Sequence, residues 1–488
     1  MFRIERWLIP VLCAIAAIRV FIFAAAFPFF SNIDESAQLD VVVKYSHFEI
    51  PRFFSSVCPE SATYLSIFGT PEYSSKAKLT SPMWTRPLAI AGRIVKEREI
   101  WWRKHLNYES MEPPLYYSLA GLWLGVGRAC GFEGGLALYW IRFLNIGLAA
   151  ALVWLAFESV KTIFPDRLFL RIGVPFLVAL WPQDAFYSIQ SDVLSPICFG
   201  FAFIALLRML SNKDPSPWTA VFAGLSLAAA FLVKVNNFGL VAVALGAVAV
   251  RAWWWRREGR LRSYVPVIFL FFAAAGVPVT IWCIRNYYVA GDLTASSAKV
   301  HFLGWTLKPI GAWWNHPIFT AGGLWTFWSD LLASFWRGEF IWHGERLSFK
   351  SVDLFYAISS ALFIGSAAVG MWQRKCGPSA FQRQCLGLAL FSFAAAVISL
   401  AMLSIIFDFG QCLFPSRSYP FFASGRLLSG AVIPIMLLYV YGLDTALRLI
   451  GGGWVRYFAL GGIGLFITAS EVILSTPIFF SPYNFFHM

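Results

Sequence analysis

Two adjacent carboxylates, Asp34 and Glu35, lie in a segment that could carry acid–base chemistry. The segment reads FPFFSNIDESAQLD and follows directly on the first long apolar run of the chain. A carboxylate that is partly desolvated by the neighbouring phenylalanines would have a raised pKa and could serve as a general base. The alternative is that the acids only help to start a helix, with the preceding serine or asparagine as its N-cap.

A second polar group surrounds two consecutive prolines. The motif EPPLYY runs from Glu112 to Tyr117 and places prolines at the start of a helix, where the missing N–H groups cost nothing. Glu109 lies one turn before Glu112, and the two acids could bind a cation or a hydroxyl group. Tyr116 and Tyr117 would then contact substrate, or they mark only the start of a helix at the membrane surface.

A third segment, WPQDAFYSIQSDVLSP, carries Asp184 and Asp192 without a basic residue. Acids beside a membrane span are costly unless they face a cavity. Asp192 also precedes an apolar run and could act only as a helix N-cap. Both interpretations of this segment stay open.

Four cations lie near the expected outer ends of apolar runs, where the positive-inside rule disfavours them. Each needs a negative partner there, either an acid of the same face or a lipid headgroup. A phosphate held at the membrane surface would also satisfy them, because Arg gives forked hydrogen bonds and Lys a point charge. The four are Arg142, Lys234, Arg285 and Arg426.

Composition assigns these residues to a membrane protein. Of 488 residues, 58% are hydrophobic and only 13% charged, which excludes a water-soluble enzyme and a disordered chain. The net charge of +13 is explained by cytoplasmic loops rich in Lys and Arg, so no nucleic-acid partner is expected. Six His and eight Cys form no CxxC or HExxH motif, and a divalent metal stays an open alternative.

Eleven apolar runs are long enough to be read as membrane spans, and they predict an all-α polytopic protein that forms a single domain over 1–488. With the N-terminus inside, eleven spans leave the most basic loops in the cytoplasm. The runs are 7–27, 138–160, 172–187, 193–210, 217–233, 236–251, 264–283, 352–372, 385–407, 425–443 and 457–476.

Two large loops are expected on the outer face, over 28–137 and over the Trp-rich stretch 284–351. Trp prefers the headgroup layer, so both loops are expected to contain helices that lie on the bilayer surface. The apolar stretch 113–130 is read as such an interfacial or re-entrant helix, because a twelfth crossing would reverse the charge bias. This topology also exposes three cysteines outside, namely Cys58, Cys130 and Cys412.

The order of the motifs resembles the GT-C superfamily of membrane glycosyltransferases, particularly bacterial relatives of protein mannosyltransferases and aminoarabinose transferases. The resemblance covers most of the chain, although each motif is short. Two departures are Met111 and Glu112, where some relatives have Glu-Lys, and the absence of an aromatic residue after the Arg of SGRLL. The matching motifs are IDE at 33–35, PPLYY at 113–117, IRFLN at 141–145, QSD at 190–192, FLVK ending at Lys234, IRNYYVAGD at 284–292 and SGRLL at 424–428.

The resemblance implies a GT-C fold with about eleven transmembrane helices, a polyprenyl-phosphate sugar donor and an active site on the outer face. It makes Asp34 the favoured catalytic base and Glu35 the second choice. The phosphate would be bound by Arg285 and, with weaker support, by Lys234, Arg426 and Arg142. Residues that would orient sugar or acceptor are Asp192, Glu112, Tyr116 and Tyr117.

The expected function is therefore inverting transfer of a sugar from that donor to a glycan, lipid or protein acceptor at the periplasmic face of a bacterial inner membrane. A transporter or flippase of a lipid-linked saccharide is the main alternative, since it would also place cations near the surface. A structural or lipid-binding assembly subunit is the third. The sequence does not identify the sugar, the acceptor or the oligomeric state.

Overall fold

A computed structural model describes residues 2–51, 53–70, 81–181, 183–211, 216–373, 377–412, 414–448 and 453–484. Helices dominate this part of the chain, with only two pairs of two-residue strands. The first predicted outer loop, 28–137, therefore includes a stretch, 71–80, that lies outside the described residues. The all-α class expected from the sequence is confirmed.

The first half of the chain contains eleven α-helices. They are α1 Phe2–Ala26, α2 Glu35–Ser46, α3 Pro59–Phe68, α4 Leu88–Arg103, α5 Leu115–Ala129, α6 Gly134–Ile163, α7 Leu168–Leu180, α8 Ser195–Ser211, α9 Pro217–Val233, α10 Phe238–Arg257 and α11 Leu261–Ala290. Short 3₁₀ turns connect some of them, at Tyr108–Met111, Asp184–Tyr187, Ser191–Leu194 and Val235–Asn237.

The second half contains α12 Ser296–Phe302, α13 Ile310–Trp313, α14 Ala321–Arg337, α15 Lys350–Gly370, α16 Ala380–Ile406, α17 Val432–Arg448 and α18 Val455–Phe479. Strand β1, Thr306–Leu307, pairs antiparallel with β4, Phe407–Asp408, and β2, Ile341–Trp342, with β3, Glu345–Arg346. A 3₁₀ helix, Gly425–Ala431, leads into α17.

Nine helices in the described residues are long and apolar enough to cross a membrane, which establishes an integral membrane protein. They are α1, α6, α8, α10, α11, α15, α16, α17 and α18, some counted together with the 3₁₀ turn before them. The predicted spans 172–187 and 217–233 correspond to the shorter apolar helices α7 and α9, of 13 and 17 residues. Eleven crossings are therefore not established.

The two loops expected on the outer face are folded against the helical core. In the first, α5 packs on α2, and Tyr116 and Tyr117 are buried between them. In the second, α14 packs on α15, and its Trp336 stacks on Tyr356 with an interplanar angle of 9°. Trp314, by contrast, is exposed. The tryptophans thus divide between the protein core and the surface.

Two ion pairs connect α18 with other helices, and a third lies within α17. Arg19 of α1 contacts Glu471 of α18 at 3.2 Å, which explains why a charge interrupts an otherwise apolar span. Asp444 of α17 accepts from Arg448 at 2.8 Å and from Arg456 at 2.9 Å. The buried acids Glu471 and Asp444 are therefore each neutralised by a cation.

The three cysteines predicted to face outward, Cys58, Cys130 and Cys412, are free thiols, so no disulfide joins them.

Candidate functional site

The Asp34 carboxylate is bound between an arginine and a tyrosine from distant parts of the chain. Its Oδ2 accepts from Nη2 of Arg426 at 2.5 Å, and its Oδ1 accepts from the hydroxyl of Tyr108 at 2.6 Å. Asp34 lies immediately before α2 with a φ of 66°, a left-handed conformation that Asp adopts more readily than most residues. Its neighbour Glu35 pairs with a different arginine, Arg142.

Its electrostatics correct one expectation from the sequence. Desolvation raises the pKa of Asp34, but Arg426, the Tyr108 hydrogen bond and Lys299 together outweigh it and lower the pKa to about 2. The raised proton affinity expected for this carboxylate is therefore wrong for the resting state. Asp34 is ionised and held by its partners.

Arg426 is positioned by a close approach of two backbone segments. The amide of Gly425 donates to Oγ of Ser334 on α14 at 2.9 Å. A Cβ on Gly425 would lie only 1.9 Å from the backbone nitrogen of Phe335, so glycine is required at this crossing. The glycine of the SGRLL motif thus packs the loop against α14 and places the next side chain, Arg426, beside Asp34.

The Arg426 guanidinium contacts several acids at once. Its Nη1 lies 3.9 Å from Asp192, and its Nε lies 3.9 Å from Glu339. Its Nη1 also donates to Oε1 of Gln190 at 3.4 Å. Glu339 follows Gly338, which ends α14 with a φ of 83°. Glu339 was not predicted, since a glutamate in a Trp-rich loop without a motif gives no local signal.

Lys234 and Asp192 form the second ion pair of the site. The Lys234 ammonium donates to both carboxylate oxygens of Asp192, at 2.6 and 2.7 Å. Lys234 is the residue after α9, and Asp192 lies in the 3₁₀ turn before α8. Asp192 thereby connects Lys234 with Arg426, and the structure brings together three residues that the sequence had singled out separately.

A third cation, Lys299, neutralises the two glutamates before the proline pair. Its ammonium contacts Glu109 at 2.9 Å and also pairs with Glu112. Lys299 comes from the seven-residue helix α12 in the second outer loop, about 190 positions further along the chain. It was not predicted. The cation site suggested by the spacing of the two glutamates exists, and an ammonium from the chain itself fills it.

Glu109 has an unusual affinity for protons. Its desolvation, together with the nearby charges of Glu112 and Asp34, raises the pKa above its ordinary value to about 7, although Lys299 opposes the shift. Burial similarly raises the pKa of Asp184 to about 7, with Glu339 as its main charged neighbour. The site therefore contains two carboxyl groups that titrate near neutrality.

Glu35 and Arg142 form a separate, buried ion pair. The carboxylate accepts from Nε and Nη2 of Arg142, both at 2.9 Å, and from the backbone amides of Phe30 and Ile189. Arg142 also donates to the carbonyls at 24, 27 and 28. Both side chains are buried. This geometry leaves neither Glu35 free to act as a base nor Arg142 free to bind phosphate, contrary to both expectations.

Arg285 is placed away from these ion pairs. Its guanidinium donates to the carbonyl of Pro51 and to the side chain of Asn286, and it lies 4.7 Å from the ring centroid of Trp282. None of its described contacts is with an acid of the site. The expected leading phosphate ligand, Arg285, therefore lies outside the Asp34 cluster, as does Arg142.

Tyr116 and Tyr117, which the sequence predicted to orient substrate, are buried next to the site. Both are fully buried, and the Tyr117 hydroxyl donates to Oε1 of Gln38 at 3.4 Å. That same oxygen accepts from the amide of Ser191 at 2.6 Å, next to Asp192. Tyr116 and Tyr117 thus pack beneath the turn that holds Asp192, and they do not line an open surface.

Within the described ranges, no group of three or more His, Cys, Asp or Glu side chains is arranged to hold a metal ion. The acids of the site are instead paired with Arg426, Lys234 and Lys299. The donor set present here therefore does not fit a divalent metal.

Comparisons with known proteins give little further information. No family model matches the chain, and no curated protein matches it. Among solved structures, the chain is similar to ArnT from Cupriavidus metallidurans bound to undecaprenyl phosphate. The two chains are 12% identical, the match covers 91% of this chain and 80% of that one, and the TM-score is 0.36.

Proposed function

We propose that this protein is an inverting glycosyltransferase that moves a sugar from a polyprenyl-phosphate donor to an acceptor hydroxyl. The observation that carries the proposal is the pairing of Asp34 with Arg426, inside a cluster that also holds Lys234 and Lys299. An ionised carboxylate next to several cationic side chains supplies the groups that the reaction needs. The carboxylate accepts a proton, and the cations stabilise a departing phosphate.

Binding of the donor would change the state of Asp34. A phosphate is a bidentate partner for guanidinium and would compete with Asp34 for Arg426. Since Arg426 is the main group that lowers the pKa of Asp34, its loss as a partner would raise the proton affinity of the carboxylate. The base would thus become active only when the donor phosphate is in place.

In the transfer step, one bond to the anomeric carbon forms and another breaks. Asp34 accepts the proton of the acceptor hydroxyl while that oxygen forms a bond to the anomeric carbon. The bond between this carbon and the phosphate oxygen breaks, and its electron pair leaves with the phosphate. Attack from the side opposite the leaving group inverts the anomeric configuration. Arg426 and Lys299 stabilise the charge that develops on the leaving oxygen.

Asp192 holds Lys234 and lies beside Arg426, so it would set the orientation of both cations. Glu112 does the same for Lys299. Both are proposed as orienting residues for the donor phosphate, through the cations with which they pair. We place the reaction at the outer, periplasmic face of a bacterial inner membrane, where lipid-linked sugar donors are presented.

The test uses the purified protein in liposomes and a panel of radiolabelled polyprenyl-phosphate sugars, with envelope extract as the source of acceptors. We expect transfer of one of these sugars and an inverted anomeric linkage in the product. Transfer that fails with every donor, by a folded protein that binds no polyprenyl phosphate, would contradict the proposal. Movement of intact lipid-linked saccharide between the leaflets without transfer would identify a flippase instead.

A further inference from the structure

A separate cavity of about 340 Å³ lies where the second outer loop meets the segment after α16. Its size is at the lower end of the ~300–1,000 Å³ that is typical of small-molecule sites. The walls come from the stretch between β1 and the Pro317–Phe319 turn and from residues 407–409 and 416–420. Its polar lining consists of Lys308, Asn315, His316, Asp408, Ser416 and Arg417, and none of them belongs to the Asp34 cluster.

The cavity is held at the end of a long membrane helix. The amide of Lys308 donates to the carbonyl of Ile406, the last residue of α16, at 2.8 Å. Strand β1 pairs with β4, so Leu307 lies opposite Phe407 directly beyond that helix end. Because α16 is one of the helices able to cross the membrane, its end lies at the level of the lipid headgroups.

The rim of the cavity is apolar and open to its surroundings. Leu307, Ile310 and Trp314 have exposed fractions of 70%, 71% and 73%. Phe319 is also exposed and contacts Trp314, with ring centroids 5.5 Å apart. Exposed aliphatic and Trp side chains at a helix end are typical of the boundary between headgroups and acyl chains. The rim therefore favours a lipid occupant over a soluble one.

One cation of the cavity makes no direct contact with an acid. Within the described residues, the Lys308 ammonium has no hydrogen bond and no ion pair at contact distance, although the charge of Asp408 acts on it. Arg417 donates through Nε to Oδ1 of Asp408 at 2.9 Å, and the same oxygen accepts from the amide of Gly410 at 3.0 Å. Oδ2 of Asp408 and the two terminal nitrogens of Arg417 have no hydrogen-bond partner among the described residues.

His316 lines the cavity as a neutral side chain, and both of its ring nitrogens are engaged in hydrogen bonds. Its Nε2 lies 3.0 Å from the carbonyl of Pro420, and its Nδ1 accepts from the amide of Ile318 at 3.1 Å. This pattern requires the neutral ring with the proton on Nε2. The lining therefore carries two cations and one carboxylate, which leaves one positive charge for an incoming anion.

We propose that this cavity binds the headgroup of a bilayer phospholipid. The phosphate lies between Lys308 and Arg417, and the end of the headgroup donates a hydrogen bond to Oδ2 of Asp408. The ammonium of phosphatidylethanolamine and the hydroxyls of phosphatidylglycerol can make that bond. The quaternary ammonium of phosphatidylcholine has no hydrogen to donate. The acyl chains follow the apolar rim formed by Leu307, Ile310 and Trp314.

The experiment measures which lipid the delipidated protein retains from an equimolar mixture of the three, by native mass spectrometry. We expect at least a tenfold preference for phosphatidylethanolamine or phosphatidylglycerol over phosphatidylcholine. Lys308→Gln removes a cation from the phosphate that all three lipids share and should lower the retention of each of them, whereas Asp408→Leu removes the acceptor and should abolish the preference. Lys96→Gln, which removes an exposed lysine of α4 outside the cavity, should leave both retention and preference unchanged. Arg417→Gln serves as a second test, because its side chain is 68% exposed and the change should not disturb folding.

Three results would overturn the proposal. The first is equal retention of all three lipids by the wild type. The second is unchanged lipid retention in both Lys308→Gln and Arg417→Gln, or an unchanged preference in Asp408→Leu. The third is displacement of the retained lipid by soluble glucose 6-phosphate, which would assign the cavity to a soluble sugar phosphate. The readout does not depend on glycosyl transfer, so it stands or falls independently of the proposed activity.

Discussion

Donor affinity should depend on pH through Glu109, and this dependence can be estimated from the structure. Its raised pKa of about 7 means that about nine-tenths of Glu109 is protonated at pH 6 and about one-tenth at pH 8. When Glu109 is neutral, Lys299 is shared only with Glu112 and attracts a phosphate more strongly. Affinity for a phosphodiester donor, which does not titrate in this range, should therefore fall as the pH rises from 6 to 8.

The magnitude follows from the distance between the charges. Glu109 lies 2.9 Å from the Lys299 ammonium, so a phosphate on the far side of that ammonium lies about 6 Å from Glu109. Coulomb's law gives about 0.7 kcal/mol of repulsion with water-like screening and about 3 kcal/mol at an effective dielectric of 20. Donor affinity should thus change by about 3-fold to about 100-fold on full ionisation.

The assay is donor binding to protein in nanodiscs at pH 6 and pH 8, for wild type, Glu109→Gln and Glu97→Gln. Glu97 is an exposed residue of α4 and serves as the control. We expect Glu109→Gln to show a smaller change in affinity between the two pH values than wild type, the remainder coming from Asp184, and Glu97→Gln to behave as wild type. Folding is monitored in parallel, because the raised pKa of Glu109 makes the fold lose stability as the pH rises from about 4.5 to 7. A pH ratio in Glu109→Gln equal to that of wild type would refute the reasoning.

Two further predictions concern the cations. Lys299→Gln removes a charge-assisted contact and should weaken donor binding about 10- to 100-fold, whereas Arg285→Gln should have little effect; equal losses in the two variants would contradict this ranking. Arg142→Met leaves Glu35 buried without its partner and should destabilise the protein by about 3–5 kcal/mol, measured as a shift in the unfolding transition. Arg93→Met, which breaks an exposed ion pair, should destabilise the protein by about 0–1 kcal/mol. A loss of stability in Arg142→Met no larger than that in Arg93→Met would show that the Glu35–Arg142 ion pair does not stabilise the protein.

The helices could be predicted from the sequence because hydrophobic runs are a local signal. Each of the eleven predicted spans corresponds to a helix, but the pattern did not show that α7 and α9 are shorter than a full crossing. Their length is set by the turns that end them. The Trp-rich loop was expected at the bilayer surface, but its Trp336 stacks on Tyr356 of α15 and is buried.

The site shows the limit of reasoning from motifs. Asp34 and Glu35 are neighbours of the same chemical type, but folding pairs Asp34 with Arg426 and Glu35 with Arg142. Lys299 lies in a short helix without a motif. Its role arises from folding that brings it to Glu109, 190 positions away in the sequence. Such pairings are tertiary, so local spacing cannot reveal them.

The central claim is that Asp34 takes the acceptor proton after the donor phosphate has drawn Arg426 away from it. The direct measurement compares sugar transfer and donor binding for wild type, Asp34→Asn and Asp166→Asn, an exposed control in the loop before α7. We predict that Asp34→Asn slows transfer by about 10²- to 10⁴-fold while donor binding is retained or strengthened, and that Asp166→Asn matches wild type. Transfer by Asp34→Asn at the wild-type rate would contradict the account.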